Sequence, residues 1–471
     1  MANGKKLGQF SLIAIVVGSM IGGGAFNLAT DMAGGASAGA IIIGWVITGI
    51  GMIALGLCFQ NLTDKRPDLD GGIFSYASEG FGKFMGFNSA WGYWFSAWLG
   101  NVAYATLLFS SIGYFLPVFK GGQNVASIIG ASLLLWLVHS LILRGVQSAA
   151  LVNLITTIAK LVPVFLFLII AIFAFHFKTF TAGFWGTNSA FHFSDVMGQV
   201  KSTMLVTLWV FIGIEGAVVL SSRAQNKKDV GKATIIGLLG TLVIYILISI
   251  MSLGVMSRSQ VAHLDHPSMA FVFESIVGKW GATVINIGLI ISVLGAWLGW
   301  TLLASEIPFL AAKSKLFPKW FAKENKNGAP INSLWITNGF IQLFLLTFLF
   351  TDKAYNFAFS LASSAILIPY AFSAFYQLKY SLATKQSDRT KNIMIGVVAS
   401  IYSIWMIYAA GVSYLLLTMI LYVPGVLVFR SVQKEAKLQS IFTKGELATA
   451  IVFALFAVLA IYELVNGTLS I

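Results

Sequence analysis

Apolar runs long enough to cross a lipid bilayer recur along this chain from residue 10 to residue 466. A membrane-spanning helix needs about 20 apolar residues, and it satisfies its own backbone hydrogen bonds without water. Only 10% of the 471 residues are charged, whereas soluble domains carry about 25%. The sequence therefore predicts an all-α, multi-pass membrane protein in contact with lipid. The first run lacks a signal-peptide cleavage pattern, so we expect it to be retained.

Thirteen spans follow from this length rule, although the division of residues 392–430 leaves twelve open. The predicted spans lie near residues 10–32, 38–60, 86–118, 124–143, 150–176, 198–221, 232–256, 281–311, 332–351, 355–379, 392–410, 413–430 and 447–465. We group them into one transporter domain over residues 1–471. It has a first repeat at 10–180 with spans 1–5, a second repeat at 198–380 with spans 6–10, and peripheral spans 11–13 at 391–466.

The basic residues indicate the orientation of these spans. If the N-terminus is cytoplasmic, 23 of the 30 Lys and Arg residues fall in cytoplasmic segments, six fall outside, and Lys160 lies within span 5. This bias follows the positive-inside rule and predicts a cytoplasmic-membrane protein with a cytoplasmic N-terminus. The net charge of +13 is then explained by topology, so no nucleic-acid partner is expected.

The metal-ligating residue types are sparse. Cys58 is the single cysteine, so it has no internal disulfide partner, and the five histidines contain no pair at i, i+4 spacing. We therefore predict no metal site and no cofactor.

The first span contains GSMIGGG, residues 18–24, with glycine at positions 18, 22, 23 and 24. Each interior glycine destabilises a helix by about 1 kcal/mol relative to alanine. Close helix packing could explain Gly18 and Gly22, but three consecutive glycines favour an unwound turn. Span 6 contains WVFIGIEG, residues 209–216, with an interruption at a similar depth. Two broken helices five spans apart are typical of an inverted five-plus-five repeat.

An unwound turn exposes amide groups on one half-helix and carbonyl groups on the other. Helix N-termini favour anions, so the carboxylate of an α-amino acid can bind the amides of Gly22 to Gly24. Its ammonium group can bind the carbonyls around Met20, Ile21, Trp209 and Ile212. The two breaks therefore predict a site for the backbone of an amino acid.

Seven stretches of the chain carry a family resemblance. They read GSMIGGGAF, KRPDLDGGIFSYASEGFG, AWGYWFSAWLGNVAY, LVTLWVFIGIEGAVV, DVGKAT, HPSMA and GAWLGWTLLASEIP. The sequence resembles the amino acid, polyamine and organocation transporter superfamily, and within it the basic amino acid antiporters. This resemblance implies a LeuT-like five-plus-five inverted repeat with broken helices 1 and 6.

The resemblance also implies a set of site residues. The substrate-binding residues are Ile21, Gly22, Gly23, Gly24, Tyr93, Asn101, Tyr104, Trp209, Ile212, Trp300 and Ser363, and the gating or coupling residues are Glu215 and Lys160. Two positions depart from the pattern of a distant relative, in which a serine stands at Gly23 and a methionine at Tyr104. The aromatic residues Trp209 and Trp300 suit stacking against a cationic side chain.

Glu215 and Lys160 are ionisable residues within spans, which makes a functional role the default hypothesis. Glu215 is expected to bind substrate charge or to make a closing hydrogen bond, and a purely structural carboxylate is the alternative. The resemblance implies that Lys160 lies beside the first break, where its ammonium replaces the sodium ion of related symporters. Transport would then be independent of sodium, and snorkelling of Lys160 is the alternative.

The function implied by the resemblance is exchange of extracellular arginine for intracellular ornithine, supporting arginine catabolism by the deiminase pathway. Alternatives within the class are lysine/cadaverine exchange, histidine/histamine exchange, and exchange of arginine for a neutral amino acid. A channel or an amino-acid sensor is a further alternative. We do not expect an enzyme, because the sequence lacks the paired nucleophile and base of a membrane hydrolase. Cationic amino acids are the expected partners, and a homodimer is left open.

Overall fold

The computed structural model of this chain describes residues 8–69, 71–145, 149–186, 190–219, 224–350, 354–385, 387–436 and 442–467. These residues form eighteen α-helices. In chain order they are α1 (Gln9–Met20), α2 (Gly24–Gly35), α3 (Ala38–Lys65), α4 (Ile73–Phe81), α5 (Lys83–Phe115), α6 (Val125–Leu143), α7 (Ala149–Phe173), α8 (Phe177–Thr181), α9 (Phe193–Phe211), α10 (Gly216–Val219), α11 (Lys227–Val255), α12 (Arg258–Ala262), α13 (Ser268–Val277), α14 (Lys279–Lys313), α15 (Ile331–Thr347), α16 (Ala354–Ala383), α17 (Arg389–Glu435) and α18 (Lys444–Val465). Three short 3₁₀ helices lie at Pro117–Phe119, Lys319–Ala322 and Phe348–Phe350.

The number of membrane crossings agrees with the sequence prediction. Within the described residues, eleven helices are long and apolar enough to span a bilayer, and the bent pair of α1 and α2 adds a twelfth crossing. The 47-residue α17 contains a non-helical residue, Gly411. At about 1.5 Å per residue, a helix of this length would reach ~70 Å, which is more than twice the hydrocarbon thickness of about 30 Å. Counted as two spans that meet at Gly411, α17 brings the total to thirteen.

The core of the bundle lies around α5 and α16. In their most apolar stretches, 89% of the residues of α5 and 83% of those of the helix at Tyr355–Ala383 are buried, against 17% for α18. The helix α5 packs against both α16 and α14. Residues on every side of α5 therefore face protein, which makes it the helix best placed to line an internal site.

Short helices cover one side of the membrane domain, which we call the Gly35 face because α2 ends there. Thr30 of α2 donates from Oγ1 to the Val261 carbonyl in α12 at 2.8 Å. Arg258 donates from Nε to the Ala33 carbonyl at 3.0 Å, near the C-terminus of α2. These contacts attach α12 to α2, the second half of the first broken helix. The length rule for a span predicts no helix in this segment, because helices of five to ten residues are too short to cross a bilayer.

The helix α4 covers the opposite side, which we call the Arg66 face because α3 ends there. Arg66 forms ion pairs with Asp68 at 2.6 Å and with Glu79 at 3.1 Å, and its guanidinium also donates to the Tyr376 hydroxyl of α16. The bound Asp68 carboxylate holds the pKa of Arg66 above its ordinary value. Arg66 thereby links Glu79 of α4 to Tyr376 near the end of α16.

Candidate functional site

The first broken helix unwinds at the glycines of GSMIGGG. The helix α1 ends at Met20, α2 begins at Gly24, and the two axes differ by 42°. The Gly22 amide donates to the Met20 carbonyl at 2.8 Å, which closes the end of α1. The Phe26 amide donates to the Gly23 carbonyl at 3.1 Å, and the amides of Gly24 and Ala25 lie in the first turn of α2, where a helix supplies no acceptor of its own.

A large side chain packs against each of the three consecutive glycines. The Tyr104 hydroxyl fills the space that a β-carbon on Gly22 would need, and Leu107 does the same at Gly23. A β-carbon on Gly24 would lie 2.7 Å from Trp209 Nε1. The glycines therefore allow side chains of α5 and α9 to approach the backbone of the break, in addition to allowing the helix to unwind.

Lys160 lies beside this break. It is 1% exposed, and its Nζ donates to the carbonyls of Gly18 and Ile21, both at 2.7 Å. These carbonyls belong to the last turn of α1, where the helix leaves acceptors without partners. The ammonium group neutralises the negative end of α1 and anchors it to α7.

The second broken helix lies between α9 and α10, at Ile212 to Glu215. Gly213 has φ +111°, a conformation that side-chain-bearing residues rarely adopt. The Glu215 carboxylate is fully buried; its Oε2 accepts from the Tyr370 hydroxyl at 2.5 Å and from the Gly213 amide at 3.2 Å. This break therefore contains a buried ionisable side chain, and the Tyr370 phenol of α16 donates to it.

A cavity lies between the two breaks. It is lined by Met20, Gly24, Ser96, Gly100, Tyr104, Trp209, Val210, Ile212 and Trp300. Its volume is about 10 Å³, enough for about one water molecule. The ring centroids of Tyr104 and Trp209 are 6.1 Å apart, and those of Trp209 and Phe359 are 6.0 Å apart. An amino acid fits only after at least one of these aromatic side chains moves.

A family model described as amino acid permease matches residues 7–443. The chain belongs to the amino acid permease family.

Curated relatives match this permease over nearly its whole length. The arginine/ornithine antiporter of Pseudomonas aeruginosa is 48% identical over 99% of both chains. The arginine/ornithine antiporter of Latilactobacillus sakei is 47% identical over 99% of this chain and 98% of its own. The arginine/agmatine antiporter of Chlamydia caviae is 42% identical over 97% of this chain and 96% of its own.

Five of the predicted substrate-binding residues of this permease meet at the cavity, namely Gly24, Tyr104, Trp209, Ile212 and Trp300. Three others form the first break itself: Gly22 and Gly23 lie behind Tyr104 and Leu107, and the Ile21 carbonyl binds Lys160. A carbonyl or an amide can bind substrate here without a side chain, since the break exposes the backbone.

The remaining three predicted residues do not line the cavity. Tyr93 is fully buried and lies beside the Glu215 carboxylate. The Asn101 amide donates from Nδ2 to Thr301 Oγ1 at 3.2 Å, next to Trp300. The Ser363 hydroxyl donates to the Phe359 carbonyl at 2.7 Å, within its own helix. In these positions the three side chains can hold neighbouring residues of the site in place, but they do not contact a substrate in the cavity.

Several residues at the cavity were absent from the predicted set. Ser96 lies eight residues before Tyr104 and Gly100 lies four residues before it, so all three share one face of α5. This spacing was the signal that could have found them. The Ser96 hydroxyl is buried and has no hydrogen-bond partner among the described residues, and the same holds for Trp209 Nε1. Such orphaned polar atoms are uncommon in folded proteins and are candidates for contact with a polar ligand.

The described residues contain no group of three or more His, Cys, Asp and Glu side chains placed to hold a metal ion. Cys58 is buried and donates from Sγ to Gln377 Oε1 at 3.6 Å.

Proposed function

We propose that this permease exchanges extracellular arginine for intracellular ornithine. The proposal is supported by the names of the relatives from Pseudomonas aeruginosa and Latilactobacillus sakei, each of which matches nearly the whole chain. The observation that carries it at the site is the position of Tyr104, Trp209 and Trp300 around one cavity, which Gly24 at the start of α2 also lines. Import of arginine with export of ornithine would supply the deiminase pathway of arginine catabolism.

The backbone of the substrate binds between the two breaks. Its carboxylate meets the amides at the start of α2, where the helix dipole favours an anion. The carbonyls of Met20 and Ile21 already accept from the Gly22 amide and from Lys160. At the second break the Trp209 carbonyl also accepts, from the Ile212 amide at 3.2 Å. We therefore place the α-ammonium group at the carbonyl of Ile212.

The cationic side chain of the substrate lies against the aromatic rings. A guanidinium or ammonium group over the face of Trp300 or Tyr104 gains about 0.5–2 kcal/mol. None of the cavity-lining residues is acidic, so this end of the site binds without an ion pair. Moderate affinity suits a carrier that must release its cargo on both sides.

Alternating access follows from motion of the two broken spans and their partners. The helices α1 to α3, from the repeat at 10–180, and α9 to α11, from the repeat at 198–380, rock against the rest of the bundle, and residues 391–466 lie at the periphery. By the positive-inside rule, the Arg66 face and the N-terminus are cytoplasmic. The Gly35 face then lies outside the cell.

Glu215 and Lys160 couple binding to this motion. The hydrogen bond from Tyr370 to Glu215 joins the second break to α16 and breaks when the cytoplasmic side opens. The Lys160 ammonium holds the end of α1 in the place of a sodium ion, so transport proceeds without sodium.

Counterflow in proteoliposomes tests the exchange. Labelled external arginine should accumulate only when unlabelled arginine or ornithine is inside, at equal total ion content. Entry into empty vesicles would instead support a channel or a uniporter. Internal agmatine is included because of the similarity to the arginine/agmatine antiporter of Chlamydia caviae. Lysine, cadaverine, histidine, histamine and a neutral amino acid complete the panel, and a faster exchange with any of them would replace ornithine as the proposed countersubstrate.

A further inference from the structure

Tyr104 reaches from α5 into the first break. Its hydroxyl lies against Gly22, and its Cδ1 would lie 3.5 Å from a β-carbon on Gly23. The side chain is 5% exposed and lines the cavity. The ring packs against Trp209, with centroids 6.1 Å apart. The phenol is therefore held with its polar end at the backbone of the break and its ring at the cavity.

A second side-chain donor points to the same place. Trp209 Nε1 would lie 2.7 Å from a β-carbon on Gly24, and it is buried without a hydrogen-bond partner among the described residues. The N-cap residue of α2 is Gly23, which makes no side-chain cap hydrogen bond. The Tyr104 hydroxyl at Gly22 and the Trp209 indole at Gly24 are therefore two side-chain donors at the first break, and both side chains line the same cavity.

A carboxylate, with its two anionic oxygens, fits this arrangement of donors. A carboxylate is acceptor-only and offers about four lone-pair sites, so it can accept from the amides and from both side chains at once. An amine without a carboxylate would leave these donors buried and unpaired, and each unpaired buried group destabilises the complex. Sites that hydrogen-bond a substrate group reject an analogue that lacks it far more strongly than apolar pockets reject a missing methylene.

We propose that the Tyr104 hydroxyl donates to the substrate carboxylate, and that this bond makes the permease selective for amino acids over the amines that lack a carboxylate. The proposal rests on the proposed function, because it concerns the same cavity and the same carboxylate subsite. It assigns ornithine, and not a decarboxylated amine such as agmatine, as the cargo that travels in exchange for arginine.

Binding to purified protein tests this assignment with two matched ligand pairs. Arginine and agmatine differ by the carboxylate, while arginine and arginine amide differ in its charge and in one acceptor oxygen. In the wild-type protein, calorimetry should give weaker binding for agmatine and for arginine amide than for arginine. Equal affinities of the wild-type protein for arginine and arginine amide would overturn the proposal without any variant.

The variant Tyr104→Phe removes the hydroxyl and keeps the ring. It should weaken the binding of arginine and ornithine about tenfold, the usual effect of losing a hydrogen bond to a charged group, and leave agmatine binding unchanged. The preference for arginine over agmatine should fall by the same factor. An equal loss for arginine and agmatine would mean that Tyr104 acts through packing and would overturn the proposal.

Tyr422→Phe is the matched control. This tyrosine is also fully buried, but its hydroxyl donates to the Ala365 carbonyl at 3.1 Å and does not line the cavity. The control should keep the wild-type preference for arginine over agmatine. If the wild-type protein binds neither arginine nor ornithine, the exchange proposal fails. Tyr104 is then tested with whichever amino acid the counterflow panel identifies and with the amide of that amino acid.

Discussion

The two broken helices differ in the groups that meet at each break. The first break, from Met20 to Gly24, consists of backbone and glycine, and its neighbours Lys160 and Tyr104 come from other helices. The second break presents its own buried carboxylate, Glu215, which a phenol of α16 holds at 2.5 Å. Backbone donors are fixed in the fold, whereas a carboxylate and a phenol can separate and pair again. We infer that the first break binds the substrate and that the second break couples substrate binding to opening of the transporter.

Alanine substitution in each break gives the largest expected contrast. Gly22→Ala places a methyl group where the Tyr104 hydroxyl lies, and the ring cannot retreat freely because Trp209 packs against it. Overpacking of this kind destabilises by about 1–3 kcal/mol, so arginine binding should weaken by up to about a hundredfold.

Gly216→Ala is the matched change in the second broken helix. Its nearest contact would be Ser19 Oγ at 3.1 Å, and a hydroxyl can rotate away. Arginine binding should change by less than about fivefold, which corresponds to about 1 kcal/mol. Calorimetry on both purified variants measures the contrast. Equal losses in the two variants would contradict the assignment of recognition to the first break.

Removal of the Lys160 charge should produce the next largest effect. Lys160→Met keeps the length of the side chain but leaves the carbonyls of Gly18 and Ile21 without a donor. Losing about 2 kcal/mol of charged hydrogen bonding should reduce the arginine exchange rate about thirtyfold. Exchange by the wild-type protein should be unchanged when choline replaces sodium. A requirement for sodium in the wild-type protein would show that Lys160 does not take the place of the ion.

Loss of the hydrogen bond from Tyr370 to Glu215 should make Cys58, the single cysteine of the chain, more accessible to alkylation. Cys58 is fully buried and contacts Gln377 of α16, and the neighbouring Phe59 packs against Tyr370 with ring centroids 6.0 Å apart. Tyr370→Phe removes the donor to Glu215 and should favour opening between α3 and α16. The rate of Cys58 alkylation by N-ethylmaleimide should rise about tenfold, if the lost bond stabilises the closed form by about 1.4 kcal/mol.

Tyr355→Phe controls for the loss of a phenol from α16. Tyr355 donates to Asp31 of α2 at 3.4 Å, in the second half of the first broken helix. Its removal should leave the Cys58 alkylation rate within about twofold of wild type, since the change is at the Gly35 face. Unchanged alkylation in Tyr370→Phe, combined with slower exchange, would mean that Tyr370 acts on the substrate and not on the opening.

The two breaks could be predicted from the sequence because each is determined by a few neighbouring residues. Consecutive glycines and a charged residue within an apolar span mark them directly, and the helix ends at Met20 and Phe211 lie where these signals predict. The resemblance added Lys160, whose predicted position beside the first break agrees with its contacts. Both signals depend on residue type and spacing, which a sequence displays.

Contacts between distant segments were beyond the same reasoning. Tyr370 lies 155 positions from Glu215, and nothing in either segment indicates the other. Ser96 was missed because α5 is buried on all sides, so its sequence has no polar stripe to identify the face at the cavity. The helices α4, α12 and α13 were missed for their length, since five to ten residues cannot satisfy a rule based on spanning.

Substitution of Ser96 should give the smallest effect, and it tests whether the substrate carboxylate lies at the first break. Its hydroxyl lies on the cavity face of α5, 1% exposed and unpaired among the described residues, and it can accept from a cationic group. Ser96→Ala should weaken arginine and ornithine binding about threefold, consistent with one neutral hydrogen bond.

Ser89→Ala is the control, because the Ser89 hydroxyl donates to the Ile73 carbonyl at 3.4 Å. Neither variant removes a donor at the first break, so both should keep the preference for arginine over agmatine. A loss of that preference in Ser96→Ala would move the carboxylate of the substrate away from the first break and toward α5.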